Sequence, residues 1–208
     1  MSVVYPSREW MEALVKKVNS DERFKTVGAT FEADFLLTVL LDEEALKEYQ
    51  IPEKMAGLIS ILKMLPPEKW AKFKGKPEEK FIEKLGLKLD EILRDPLIVD
   101  RLDINELARR LASVKLEEIK GAGLSLHMEI KHGEIKRFEP VAPGEKTEAR
   151  FKIIGGYSAF KQVVQGKADL IQLIASGKLK FQGDLGYVMR HLAAIKRFAD
   201  LMASIPVR

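Results

Sequence analysis

The chain has 208 residues, of which 46% are apolar and 32% are charged, and its formal net charge is +4. This length and apolar content suffice for one large domain, or for a domain with a sizeable insertion, around a true core. The absence of cysteine excludes disulfides, thiolate metal sites and thiol nucleophiles, and the longest apolar run, residues 35–41, is far shorter than the ~20 residues that span a bilayer.

The basic charge is concentrated near the C-terminus. Residues 155–208 hold eight Lys or Arg against three Asp. Such a surface suits anionic headgroups or phosphates, and a solvated helix face is the competing interpretation. The first six residues lack the features of a secretory signal peptide, so we expect a cytoplasmic protein. Abundant Lys and Glu with only two Asn are typical of a heat-adapted source.

The first predicted elements are a helix and a long strand. Apolar residues recur at three and four positions after Ser7, which is the predicted N-cap. Residues 29–41 then alternate with period two, which predicts a strand with Glu32 and Asp34 on its polar face. Two carboxylates spaced in this way can act as acid and base, but a solvated sheet face is the preferred interpretation. The opposite, apolar face holds Phe31, Ala33, Phe35, Leu37 and Val39.

Residues 42–120 return to a helical period and are interrupted by prolines. Four or five short helices are predicted here. The last begins at Asp103, which forms a capping box with Glu106, and runs to Val114. The apolar stripes of these helices are interpreted as packing surfaces. Because the block has no strand pattern, we interpret it as an inserted helical subdomain between residues 1–41 and 121–208.

The remaining strands follow residue 121. Residues 124–130 alternate, and the turn at His132 and Gly133 predicts a hairpin. Another strand is predicted around Phe151, then a helix over 157–165. Residues 166–184 predict a short helix that ends at Gly177, followed by a strand over 178–182. A single long amphipathic helix over 185–202 completes an α+β fold, in which helices cover a five-stranded, mostly antiparallel sheet.

The sequence contains none of the common catalytic motifs. It has no complete dinucleotide fingerprint, phosphate-binding loop or hydrolase elbow. Its three histidines, His127, His132 and His191, are scattered and lack metal-ligand spacing. We therefore predict no enzyme, no cofactor and no metal, and nothing indicates a nucleic-acid partner. An enzyme that uses Glu32, Asp34 or His127 ranks below the other hypotheses.

Residues 155–200 resemble the sterol carrier protein type 2 family of lipid-binding and lipid-transfer domains. The resemblance rests on Gly166-Lys167, on the spacing from Gly166 to Gly177, and on the run that starts at Gly177 and ends with Gly183-Asp184. It is weaker over 29–41 and 124–154 and absent over 42–120. In members of this family a short connection joins the first two strands. The helical block is therefore expected to be an insertion that closes, reshapes or replaces the ligand entrance.

The resemblance implies an apolar tunnel for lipid tails between the sheet and its helices. The residues expected to line it are Phe31, Phe35, Leu126, Met128, Phe151, Phe160, Ile174, Leu179, Phe181, Val188, Met189 and Leu192. Headgroup or transient membrane contact is expected from Lys167, Lys178 and Lys180, within a wider basic set of Lys161, Arg190, Lys196 and Arg197. For each apolar residue, ordinary core packing is the alternative, because periodicity does not distinguish a filled core from a tunnel wall.

Two hypotheses about function follow. The first is a non-catalytic intracellular protein that binds or transfers an apolar lipid, such as a fatty acyl, isoprenoid or sterol-like chain. The second is a scaffold or accessory module of the same fold, for example in lipid or quinone biosynthesis, whose helical block binds a partner that the sequence does not identify. An apolar cavity under the last helix would favour the first hypothesis, and large side chains filling that space would favour the second.

Overall fold

The computed structural model describes residues 2–208, in which helices pack against one five-stranded sheet. The strands are β1 Glu32–Leu40, β2 Gly123–Lys131, β3 Glu134–Val141, β4 Phe151–Gly156 and β5 Leu179–Gln182. The α-helices are α1 Arg8–Asn19, α2 Glu22–Val27, α3 Glu43–Glu48, α4 Pro52–Leu62, α5 Pro77–Lys84, α6 Leu89–Arg94, α7 Ile104–Leu111, α8 Tyr157–Val164, α9 Leu170–Ala175, α10 Leu185–Arg190 and α11 Leu192–Ala203. Short 3-10 helices span Pro67–Phe73, Pro96–Arg101 and Leu116–Ile119.

The sheet has the order β3-β2-β1-β4-β5. Strand β1 lies at the centre, antiparallel to β2 and parallel to β4, and the two outer pairings are antiparallel. The predicted α+β fold with a mostly antiparallel sheet is therefore confirmed. The parallel pairing requires the chain to cross over between β1 and β4, which it does through the helical block and the β2–β3 hairpin.

The predicted strand faces are those that the structure buries. Along β2, the apolar residues Leu124, Leu126, Met128 and Ile130 are all buried, whereas the alternating polar residues are only partly covered. Helices α1, α8 and α11 pack together over the buried face. Ser7 is the N-cap of α1, since its Oγ accepts a hydrogen bond from Trp10 N at 3.0 Å. The first helix thus begins where the sequence predicts.

The helical block contains five α-helices and three 3-10 helices within residues 43–119. Its buried side chains belong to the same continuous core as those of the sheet. The last α-helix, α7, ends at Leu111, so the predicted extension to Val114 is wrong. Asp103 caps α7 as predicted, but the Glu106 carboxylate accepts from Arg110 Nε at 2.8 Å. The Glu106 side chain therefore makes a charge-assisted hydrogen bond to Arg110 instead of the expected hydrogen bond to the backbone N–H of Asp103.

The predicted single C-terminal helix is wrong. The chain forms α10 and α11 with a break at His191, whose φ is −106° and ψ is 24°. The His191 ring nitrogen Nδ1 lies 3.0 Å from the Tyr187 carbonyl oxygen, and the ring packs against Phe31 with centroids 5.5 Å apart. These contacts hold His191 in a non-helical conformation, which no local pattern of Pro or Gly would have predicted.

Candidate ligand cavity

An apolar cavity lies between the buried face of the sheet and the helices that cover it. Its volume is about 90 Å³, and its walls come from all five strands, the start of the chain and helices α1 and α8 to α11. No residue of the helical block, 42–120, lines it. Within the part of the chain that the structure describes, the block therefore does not form a wall of this cavity.

Eight of the twelve residues expected to face a lipid lie in the cavity wall. They are Phe31, Phe35, Leu126, Met128, Phe160, Ile174, Phe181 and Val188. They come from six separate segments of the chain, which the pairing of the strands and the packing of the helices bring together. Their placement in one wall agrees with the expected inward face of each element, and their contact with a ligand stays a prediction.

The other four expected residues lie elsewhere. Phe151 and Leu179 are fully buried in packing, and Phe151 lies between Phe35 and Phe181 with ring centroids 5.3 and 6.0 Å away. Met189 is 51% exposed, because α10 turns Val188 towards the cavity and its neighbour outwards. Leu192 begins α11 just after the break at His191 and is half-buried outside the cavity.

Sequence reasoning missed the walls that α1 and α11 supply and, apart from Ile174, the wall that α9 supplies. Their apolar faces were visible in the sequence, but the side of the sheet on which each helix packs was not. The additional lining residues include Tyr5, Trp10, Leu14, Phe138, Leu170, Ile171, Ile195, Phe198, Ala199 and Met202. Such residues can be distinguished from ordinary core only when the contacts between distant parts of the chain are known.

The cavity wall is almost wholly hydrocarbon. Tyr5 and Trp10 are the only lining side chains among the described residues with a polar atom, and none is charged. Such a wall favours apolar groups through their removal from water. The volume is below the roughly 300–1,000 Å³ of typical ligand pockets, so a long chain requires the walls to move.

Helix α9 is a wall with little packing support. It has six residues and contacts mainly β5. Three of its apolar side chains, Leu170, Ile171 and Ile174, line the cavity while remaining partly exposed to solvent. A short, half-exposed apolar helix has few contacts to lose when it shifts. It is therefore a part of the wall through which the cavity can be enlarged.

The lysines expected to meet headgroups surround α9. Lys167, Lys178 and Lys180 are exposed, and none takes part in an ion pair within residues 2–208. Two members of the wider basic set form partly buried ion pairs within the protein. Lys161 contacts the carboxylates of Glu44 and Glu48, and Arg197 Nε donates to Asp21 Oδ1 at 3.0 Å. The Arg197 guanidinium, opposed by partial burial, lowers the pKa of Asp21.

A second, smaller cavity of about 30 Å³ lies where the helical block meets the ends of β1 and β2. Its lining includes Tyr49, Phe81 and Tyr157, and one carboxyl group, that of Glu78. Burial raises the pKa of Glu78, although its Oε1 accepts a hydrogen bond from Gly123 N at 3.3 Å. The carboxyl group is thus shifted towards its neutral form.

The acidic pair considered for catalysis lies outside both cavities. The structure brings Asp34 and His127 together across β1 and β2, with Oδ1 and Nε2 in hydrogen-bond contact, whereas Glu32 lies 3.2 Å from His132. The sequence had not predicted the Asp34–His127 contact. It joins two residues on the polar face of the sheet, as cross-strand pairs do. Among residues 2–208 no group of three or more acidic or histidine side chains is arranged to hold a metal ion.

Comparisons with known proteins agree with this architecture. Residues 89–196, more than half of the chain, match the model of the SCP-2 sterol transfer family. The matched region includes residues 89–120 of the helical block. No curated protein sequence matches the chain.

In the described residues, no helix is both long enough and apolar enough to cross a bilayer.

Two solved structures share the fold. A crystal structure of sterol carrier protein 2 aligns with a TM-score of 0.53 and 12% identity, covering 97% of this chain and 98% of that one. A solution structure of a conserved hypothetical protein from Thermus thermophilus, described as a candidate sterol carrier protein, aligns with a TM-score of 0.55 and 13% identity. That alignment covers 100% of this chain and 97% of the other. At these identities the likeness shows the fold alone.

Proposed function

The chain belongs to the SCP-2 sterol transfer family, and on that premise we propose that it binds and transfers an apolar lipid without catalysing a reaction. The apolar part of the lipid occupies the cavity between the sheet and α11. The observation that carries this proposal is a cavity between the sheet and its helices whose wall has no charged side chain. A fatty acyl, isoprenoid or sterol-like chain has the required chemistry.

The affinity comes from burying methylene groups. Each is worth about 0.8 kcal/mol when it leaves water, so a dozen supply roughly 10 kcal/mol before the costs of association. Since the cavity of about 90 Å³ does not hold such a chain in its present form, binding includes an outward shift of α9. The thioether side chains of Met128 and Met202 lie in the wall and adapt to different chain shapes.

The basic surface around α9 gives the cavity an approach for lipids. Lys167, Lys178 and Lys180 are free to contact anionic headgroups where α9 moves. Leu185 and Met189 expose apolar side chains on α10, at 52% and 51%, next in the chain to this basic segment. Basic and apolar groups of this kind together support transient contact with a membrane surface.

The proposed subdomain over residues 42–120 has a supporting role in this scheme. It contributes no side chain to the main cavity but packs at the ends of β1 and β2, where the second cavity lies. We therefore assign the block to stabilising the sheet and not to closing the lipid entrance. The scaffold hypothesis expects filled space under the last helix, so the cavity favours lipid binding over it.

The test is direct. The purified protein is extracted with organic solvent, the extract is analysed by mass spectrometry, and the delipidated protein is titrated with a fluorescent fatty acid and with competing isoprenoid and sterol ligands. We expect a co-purified lipid and saturable binding that competitors displace. An empty extract together with no saturable binding of any ligand would contradict the proposal and leave the scaffold hypothesis in its place.

A further inference from the structure

One buried polar group in the cavity wall has no partner. Trp10 is 3% exposed, and its indole Nε1–H donates to no acceptor within residues 2–208. Buried donors are nearly always hydrogen-bonded, because a donor removed from water without an acceptor destabilises the fold. A phenylalanine would present a similar apolar ring without this penalty. The indole donor is therefore a feature that apolar packing does not explain.

The position of Trp10 relates this donor to the ligand. Trp10 lines the main cavity on the α1 side, where its ring lies edge-on to Tyr5 with centroids 4.8 Å apart and packs on Phe138 at 5.9 Å. Apart from Tyr5 and Trp10 itself, the lining side chains carry no oxygen or nitrogen, and no acceptor within residues 2–208 pairs with Trp10 Nε1. Thr147 Oγ1 also lacks a partner, but Thr147 lines none of the cavities described. Of these two fully buried, unpartnered side-chain atoms, the indole nitrogen of Trp10 is the one that belongs to a residue of the cavity wall.

We propose that the Trp10 indole N–H donates a hydrogen bond to an uncharged oxygen of the ligand. The ligand class is then an apolar molecule that carries a ketone, ester, ether or hydroxyl oxygen in its buried part, and a plain hydrocarbon is a poorer ligand. This inference rests on the proposed function of lipid binding. It adds to that function a selectivity that the hydrocarbon walls do not provide.

The acceptor is uncharged because the cavity cannot compensate an anion. No Lys, Arg or His lines it, and burying an unpaired carboxylate among apolar side chains is far more costly than burying a neutral oxygen. The exposed lysines near α9 can meet a carboxylate only outside the cavity. An amphipathic ligand with a charged end thus leaves that end at the surface, while a neutral oxygen along its chain reaches Trp10.

The experiment compares two ligands of equal length, a long-chain methyl ketone and the matching 1-alkene, in competition with a fluorescent fatty acid. Wild type is compared with Trp10→Phe, which removes the donor, and with Phe138→Leu, which changes the wall beside Trp10 without changing any polar atom. We expect Trp10→Phe to lower the ratio of ketone to alkene affinity about tenfold. Phe138→Leu should leave the ratio within about twofold of wild type.

A second measurement uses the wild-type protein, so it does not require Trp10→Phe to fold. The chain has two tryptophans, so a ¹⁵N-labelled sample gives two indole N–H signals, and Trp70→Phe assigns them. The ketone, but not the alkene, should shift the Trp10 signal downfield. If both ligands bind but neither the affinity ratio nor the signal responds, the inference is overturned and lipid binding stands. If neither ligand nor the fluorescent fatty acid binds, both the proposed function and this inference fall.

Discussion

Tyr157 donates its hydroxyl hydrogen to Glu48 Oε2 at 2.7 Å, which bonds the first residue of α8 to the last residue of α3. Lys161, one turn further along α8, contacts the same carboxylate and that of Glu44. The part of the chain that encloses the main cavity and the helical block are therefore connected by partly buried, charge-assisted bonds as well as by their common core. Bonds of this kind are stronger than exposed ion pairs.

The first prediction concerns acid. Burial opposes the charge on Glu48, but the hydrogen bonds from Lys161 and Tyr157 outweigh it and lower the pKa of Glu48 below 4.5. A carboxyl group whose pKa is lower in the folded state contributes stability above its unfolded pKa and loses it as the pH falls through the folded value. Glu48→Gln should therefore lower the free energy of unfolding by about 1–3 kcal/mol at pH 7, and by less at pH 3.

Urea unfolding at both pH values measures this difference. Glu117→Gln is the control, since Glu117 is exposed and takes part in none of the ion pairs of residues 2–208. It should stay within about 0.5 kcal/mol of wild type at either pH. An equal loss of stability at pH 3 and pH 7 in Glu48→Gln would show that the carboxylate charge is not what stabilises the junction.

The second prediction concerns a carboxyl group whose pKa is raised, so its effect on stability has the opposite sign to that of Glu48. Burial raises the pKa of Glu78. Between its unfolded and its folded pKa, the carboxyl group therefore holds more proton in the folded state than in the unfolded state. Such a group opposes folding increasingly as the pH rises from its unfolded pKa to its folded pKa. Glu78→Gln should raise the melting temperature at pH 7 and leave it unchanged at pH 3, because the wild-type side chain is neutral there. Calorimetry at the two pH values checks this. A lower melting temperature at pH 7 would contradict it.

The third prediction tests the cavity with two alanines of one helix. Ala199 lines the cavity from α11, whereas Ala193 is exposed on the same helix. Ala199→Leu should fill space that a lipid needs and weaken fatty-acid binding about tenfold or more, with a change in stability of less than about 1.5 kcal/mol. Ala193→Leu should leave binding unchanged. If Ala199→Leu unfolds the protein, the space around Ala199 is filled core and not a ligand cavity.

The fourth prediction concerns the basic surface. Replacing Lys167, Lys178 and Lys180 by Gln should weaken binding to anionic vesicles by up to about 1 kcal/mol for each lysine near the membrane. The effect should shrink as salt is added, because exposed charges are screened. The control replaces three exposed lysines of the helical block, Lys74, Lys80 and Lys120. Equal losses in the two triple variants would mean that net charge, and not this surface, attracts the vesicles.

The fifth prediction concerns two glycines that bracket β5. Gly177 has a φ of +75° with no atom within 4 Å of an added Cβ, so Gly177→Ala should cost only about 1 kcal/mol of stability. Gly183 has a φ of +145°, and its Cβ would lie 2.6 Å from Phe151 Cδ1. Gly183→Ala should cost clearly more, about 3 kcal/mol or above. Thermal unfolding ranks the two variants, and a reversed ranking would contradict this account.

Much of the fold was accessible from local sequence. The alternation from Leu124 to Ile130 predicted the buried face of β2, and Ser7, Asp103 and Gly177 marked helix ends, because capping and strand pleat depend on residues near in the chain. The break at His191 was not accessible, since it depends on the contact of that ring with Phe31 about 160 residues away.

The sequence by itself determined which side of each element is apolar, and therefore that a helix-covered sheet would form. Only the tertiary structure decided which apolar residues became cavity wall and which became solid core. Phe151 and Phe181 share a strand pattern and a face, yet Phe181 lines the cavity and Phe151 does not. The tertiary structure likewise decided that the indole donor of Trp10 has no partner, because this depends on which side chains surround it. A cavity is space left between elements distant in sequence, and periodicity within one element carries no information about that space.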